Sequence, residues 1–127
     1  MVALIELTSN VERLFGVTCR FECDRPVFLS DDAVASHVYR IAQEALNNAI
    51  KHGKADIITI ALKQEGESCV LTITDNGVGI GSVHSHGKGM GLSIMQYRAS
   101  MIGAVLEIKA PEAGGTLIQC VFSNRMV

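Results

Sequence analysis

Tryptophan is absent from this chain of 127 residues, and tyrosine and phenylalanine number only 2 and 4. Aromatic platforms for stacking bases are therefore scarce. Charge is modest too: charged residues make up 19%, with a formal net charge of −2. Nucleic-acid binding normally needs a basic patch, so this balance argues against it. No apolar run approaches the ~18 residues that a membrane span requires. The first residues, MVALIELTSNVERLFG, carry acidic groups and no basic start, unlike a secretory signal. Cys19, Cys23, Cys69 and Cys120 include no C-x-x-C pair. Such scattered thiols read as small buried hydrophobes in a reduced, cytoplasmic setting, and their spacing disfavours a closed structural zinc site.

What is present suffices for one core. Hydrophobic residues make up 48%, which excludes a disordered or low-complexity chain. The length fits a single domain over residues 1–127. Leu4, Leu7, Val11, Leu14 and Phe15 recur at near-helical spacing, so residues 1–16 form an N-terminal helix stopped by Gly16. Residues 17–23 alternate as a strand. Ser30, Asp31 or Asp32 can cap the next helix, over 31–53. Its core face is Val34, Val38, Ile41, Ala42, Ala45 and Ala49, with Gly53 as its stop. Strands over 56–63 and 69–74 form a hairpin around Glu65-Gly66-Glu67. A helix over 92–102 with Leu92, Ile94, Met95, Ala99 and Ile102 follows, then strands over 105–110 and 116–123. Hairpins mixed with amphipathic helices predict an α/β two-layer sandwich, its sheet covered by helices on one face. There is no internal repeat and no linker.

Three constellations remain. On the long helix, Arg40, Glu44, Asn48 and His52 recur at four, with Lys51 beside the last. A solvated face explains most such stripes, yet asparagine is a poor mid-helix residue. An amide oxygen and a carboxylate one turn apart suit magnesium, which prefers oxygen ligands. Second, Asp75-Asn76-Gly77-Val78-Gly79-Ile80 follows a strand. This is strong turn chemistry. It also presents a carboxylate that can accept a hydrogen bond from an exocyclic amine, as on adenine. Third, Gly87-Lys88-Gly89-Met90-Gly91-Leu92 opens a helix, where free N–H groups and the helix dipole attract anions. It lacks both P-loop and dinucleotide-binding spacing. Residues 75–91 hold half of the 12 glycines, which predicts an irregular, mobile loop.

Taken in order, these segments are specific. YRIAQEALNNAIKHGKA (39–55), TDNGVGI (74–80), GKGMGLSIMQYRASMIGAVLEI (87–108) and GGTLIQCVF (114–122) resemble the GHKL superfamily of ATP-binding domains, with its Bergerat fold. That superfamily holds gyrase, Hsp90-type chaperones, histidine kinases and MutL. More narrowly, the chain is similar to the catalytic ATP-binding domain of a two-component sensor histidine kinase of the nitrate/nitrite-sensor or DesK type.

The resemblance implies a mixed sheet with helices on one face and a short glycine-rich ATP lid over 81–91. It implies ATP and Mg2+ as ligands. Asn48 matches the asparagine that holds magnesium, and Glu44 the acidic position one turn earlier. That acid is the general base in the family's ATPases, and its role in kinases is less clear. Lys51 and His52 fall where phosphate contacts are expected. Asp75 matches the aspartate that binds the adenine amine, with Gly77, Gly79 and Ile80 shaping the pocket. Lys88, Gly89, Gly91 and Leu92 match the second glycine box at the lid hinge. Thr116 completes the adenine water network. The expected reaction donates the γ-phosphate to a histidine on a separate dimerisation domain, and onward to a response regulator in the full-length protein. His37, His52, His84 and His86 do not fit the acceptor pattern, so the chain is expected to be an excised, monomeric domain. Alternatives are an anti-sigma-factor-type serine kinase, a water-hydrolysing ATPase, and a non-catalytic nucleotide-binding interaction module.

Overall fold

The computed structural model describes residues 1–78 and 90–124. In chain order the elements are α1 (Val2–Phe15), β1 (Thr18–Glu22), α2 (Asp32–Lys51), β2 (Ile57–Glu65), β3 (Ser68–Asp75), α3 (Met90–Met101), β4 (Val105–Lys109) and β5 (Thr116–Ser123). Every expected element is present, with ends displaced by no more than two residues. The strands form one sheet in the order β1-β2-β3-β5-β4. β1 runs parallel to β2, and the other neighbours are antiparallel. The sheet is therefore mixed.

Side chains alternate across a strand, so one face of each strand can be wholly apolar. Here that face carries Ile58, Ile60 and Leu62 of β2, Cys69, Leu71 and Ile73 of β3, and Ile118, Cys120 and Phe122 of β5, all buried. α2 covers it with Val38, Ile41, Ala42, Ala45, Leu46 and Ala49, and α3 with Met95 and Ala99. α1 adds Leu4, Leu7 and Val11. Leu14, Phe15 and Ile94, expected on core faces, are instead exposed. Leu14 and Phe15 belong to the last turn of α1, past the stretch that reaches the core. Ile94 is displaced from the seam because Met95 and Ala99, one turn apart, take it. Cys19, Cys69 and Cys120 are buried free thiols. Burial pushes each up to about 11, which keeps them protonated and unreactive.

Local chemistry fixes the start of α2. Asp31 adopts an extended backbone, and its carboxylate accepts from the N–H groups of Ala33 (2.8 Å) and Val34 (3.3 Å). These donors would otherwise lack partners inside the helix. Asp31→Ala is expected to lower unfolding free energy by about 1 kcal/mol, measured by urea denaturation. The other end of α2 differs from expectation. Lys51 is its last residue, and His52 caps it in a right-handed conformation. Gly53 is buried and needed for close approach: a Cβ there would come within 2.9 Å of the Ala49 carbonyl oxygen.

Candidate nucleotide site

The polar stripe of α2 divides in two. Arg40, Lys51 and His52 are exposed, whereas Glu44 and Asn48 are half-buried. The start of α3 accounts for the difference. A Cβ at Gly91 would come within 2.8 Å of Asn48 Oδ1, 2.9 Å of Asn48 Nδ2 and 3.0 Å of Glu44 Oε1. A side chain at Gly91 would push the Asn48 and Glu44 side-chain ends out of this arrangement. Glu44 and Asn48 therefore bring two oxygen atoms toward one point beside the first turn of a helix. Two oxygen donors of this kind fit magnesium, which takes few protein ligands and keeps the rest for water and phosphate. Leu92, next in the chain, is partly buried against the core.

The end of α2 leads to the second constellation. The Asn48 carbonyl accepts from the backbone N–H groups of His52 (3.0 Å) and Gly53 (2.8 Å). The Gly53 carbonyl in turn accepts from the Val78 N–H at 2.8 Å. Gly77 makes that dock possible, because a Cβ there would run into the Gly53 carbonyl oxygen. The Asp-Asn-Gly turn is thus seated on the end of α2. Two hydrogen bonds through Gly53 join the backbone of Asn48 to the turn that carries Asp75.

Asp75 is the last residue of β3, opposite Ile58 of β2 and Thr116 of β5. Strand alternation puts it on the helix-covered face, in line with Leu71 and Ile73. It is half-buried, and its Oδ1 accepts from the Gly77 N–H at 2.8 Å. Burial raises its pKa, while hydrogen bonds from the backbone of Gly77 and Thr116 pull the other way without prevailing. A carboxylate held partly out of water at the end of a strand is suited to a directed hydrogen bond with a ligand. Thr116 is buried beside it. Gly115, at φ +82°, passes so close that a Cβ would collide with the Asp75 carbonyl oxygen.

Sequence reasoning missed Asn76, taking it as turn chemistry alone. Its Oδ1 accepts from the N–H groups of Asp56 (2.8 Å) and Ile57 (2.9 Å), and its own N–H donates to the Ile57 carbonyl (3.2 Å). Gly115 and Gly53 were missed as neighbours of the site. For Gly115 the signal was the Gly-Gly pair one residue ahead of a strand. Gly79, Ile80, Lys88 and Gly89 lie outside the described residues, as do His84, His86 and most of the expected lid. Lys51 and His52 are exposed on the last turn and cap of α2. A separate cleft of about 480 Å³ lies between residues 24–27 and 62–64, toward the other end of β2.

With this geometry in view, likeness to known proteins becomes decisive. Residues 33–125 match the family described as "Histidine kinase-, DNA gyrase B-, and HSP90-like ATPase". The chain belongs to that family. It is a histidine-kinase-type ATPase domain, homologous to sensor histidine kinases. It is 32% identical over 124 residues to the nitrate/nitrite sensor protein NarQ of Escherichia coli, covering 96% of this chain and 22% of NarQ. Identity to the NarQ homolog of Haemophilus influenzae is 39% over 127 residues, covering 98% of this chain and 22% of that protein. The sensor histidine kinase LiaS of Bacillus subtilis is 38% identical over 86 residues, covering 68% of this chain and 24% of LiaS. The chain thus spans about a fifth to a quarter of these relatives. The fold matches the ATP-binding domain of PrrB from Mycobacterium tuberculosis with a TM-score of 0.76 at 18% identity, covering 98% of this chain and 93% of that one. It also matches the Erythrobacter litoralis EL346 histidine kinase domain with a TM-score of 0.77 at 19% identity, covering 95% and 59%. Among the described residues, no helix of this ATPase domain is long and apolar enough to cross a membrane.

Proposed function

We propose that this ATPase domain binds Mg-ATP between Asp75 and Asn48 and presents the γ-phosphate to a histidine on a separate dimerisation domain. The observation that carries the reading is the hydrogen-bonded link through Gly53, which fastens the turn holding Asp75 to the helix end beyond Asn48. Asp75 accepts a hydrogen bond from the adenine amine, assisted by Thr116. Gly77, Gly79 and Ile80 shape the pocket around the base. Asn48, with Glu44 Oε1 beside it, would hold magnesium. Lys51, His52, Lys88, Gly89 and Gly91 serve the phosphates, and Leu92 anchors the start of α3 against the core beside them. Phosphoryl transfer depends mostly on positioning and charge neutralisation, and bound magnesium supplies part of that neutralisation. With a histidine as acceptor, Glu44 need not activate water. In a full-length protein the phosphoryl group passes to a response regulator.

The test is titration calorimetry with ATP and ADP, with and without magnesium, followed by transfer to a histidine-bearing dimerisation domain supplied separately. Magnesium-dependent binding and labelling of that histidine are expected. No binding at millimolar nucleotide contradicts the reading, and steady phosphate release without transfer assigns a hydrolase instead. Asn48→Asp is expected to shift the magnesium dependence of binding by about tenfold in metal concentration, since a carboxylate replaces a neutral ligand. An unaltered metal titration removes Asn48 from the ligand set.

A further inference from the structure

Asn76 is exposed, yet its side chain spans to backbone 19 and 20 residues away. Its Oδ1 takes two successive N–H groups, those of Asp56 and Ile57, just where β2 begins. The backbone N–H of Asn76 also donates to the Ile57 carbonyl, so main chain and side chain together extend the β2–β3 pairing one residue past its regular end. The next residues turn away and dock on α2 through Val78 and Gly53. A closed circuit results. It runs from the Asn76 side chain to Asp56, along the chain to Gly53, across a hydrogen bond to Val78, and back along the chain to Asn76. Gly53 also donates to the carbonyl of Asn48. Lys54, inside the circuit, has φ +52°, a left-handed backbone that a lysine adopts only when its surroundings hold it there.

We propose that Asn76 is a positioning residue that fixes the separation between the adenine end of the site, at Asp75, and the metal end, at Asn48. The inference rests on the nucleotide reading of those two residues. Asn76 touches neither end. It fastens the 54–57 segment, the one piece of chain that connects to α2 at Gly53 and to β3 at Asn76. Without its oxygen, two N–H groups turn to water; the segment keeps the bonds from Ala55 N–H to Ala49 and from Thr18 N–H to Asp56, but toward the turn that follows Asp75 only the Asn76 N–H to Ile57 and Val78 N–H to Gly53 bonds remain. A ligand that must meet both ends then depends on Asn76, and a ligand that meets only Asp75 does not.

The experiment compares Mg-ATP with adenosine on the 127-residue chain, by NMR titration at 10 °C, using Asn76→Ala and Asn76→Asp. Loss of the paired hydrogen bonds is expected to weaken Mg-ATP binding to Asn76→Ala by about tenfold, while adenosine binding changes less than about threefold. Asn76→Asp keeps an acceptor in the same place, and is expected to recover Mg-ATP affinity to within about threefold of the parent. A purely structural role predicts a lower melting temperature with unchanged affinities in the folded protein. The inference is overturned by Mg-ATP affinity in Asn76→Ala within about twofold of the parent, or by equal losses for both ligands. If Asn76→Ala does not fold, Asn76→Ser, too short to reach both N–H groups, carries the same comparison. A parent chain that fails to bind Mg-ATP removes the nucleotide reading itself, whereas normal parent binding with an unaffected Asn76→Ala removes only this role.

Discussion

Asp75→Asn is expected to weaken ATP binding by about 10- to 100-fold, to narrow the preference for ATP over GTP, and to stabilise the fold at neutral pH. The affinity loss follows from exchanging a charged acceptor for a neutral one, since hydrogen bonds to charged groups contribute about 1.5–3 kcal/mol. The amide also presents a donor where only an acceptor is wanted, so guanine is rejected less strongly. The gain in stability has a separate origin. Burial raises the folded-state pKa of Asp75 above its ordinary value of 3.8. Its favourable contribution is therefore complete below that value and is lost as pH rises through the folded-state pKa. At neutral pH the ionised carboxylate opposes folding. Asparagine has the same shape, stays neutral, and keeps an oxygen for the Gly77 N–H. The melting temperatures of Asp75→Asn and the parent should converge below pH 4 and separate as pH rises, with the variant higher. Parallel curves at every pH would show that Asp75 is not desolvated as described.

Gly115→Ala is expected to be the more damaging change for the fold. Its backbone sits at φ +82°, where a Cβ is strained, and that Cβ would collide with the carbonyl of Asp75. The obstacle is main chain on a central strand, so no side-chain rotation relieves it. A strained backbone and an overpacked contact together cost about 2–5 kcal/mol, or roughly 10–20 °C in melting temperature for a domain of this size. β5 can relieve the clash only by moving away from the end of β3, taking Thr116 off the Asp75 carboxyl. Nucleotide affinity should fall with stability. Gly114→Ala is the control: it too has positive φ, at 98°, but a Cβ there meets nothing. It should lose only the smaller backbone contribution of about 1 kcal/mol, with affinity intact. Equal destabilisation by the two substitutions would contradict the steric account of Gly115.

The layers of the molecule were legible because their periods are physical. Runs rich in Ile, Thr, Val and Leu mark the strands over 56–63 and 69–74, which the structure extends to Ile57–Glu65 and Ser68–Asp75 with one buried face, and the spacing from Val38 to Ala49 marks a helix resting on it. Asp75 was legible as a carboxylate at a strand's end, and Gly91 as part of a helix-opening turn. What escaped was contact between segments distant in sequence. The acceptors of Asn76, the reach of Gly91 to Glu44 and Asn48, and the approach of Gly115 to Asp75 all depend on how elements dock. Local propensity describes such residues only as turn formers. Gly53 illustrates the difference: its place after a helix suggests a left-handed cap, while its use is to pass the Ala49 and Val78 backbones closely. Ile94 shows the converse, an apolar residue at helical spacing left in solvent because Met95 and Ala99 already fill the seam.

The bridging of Asn48 and Asp75 by one nucleotide is tested most directly by NMR titration with Mg-ATP, following the Asn48 side-chain amide and the Gly77 backbone amide in the same spectra. Both signals should move along one saturation curve with a single Kd. Movement of one without the other, or two curves with different midpoints, would mean that no one molecule spans the two residues.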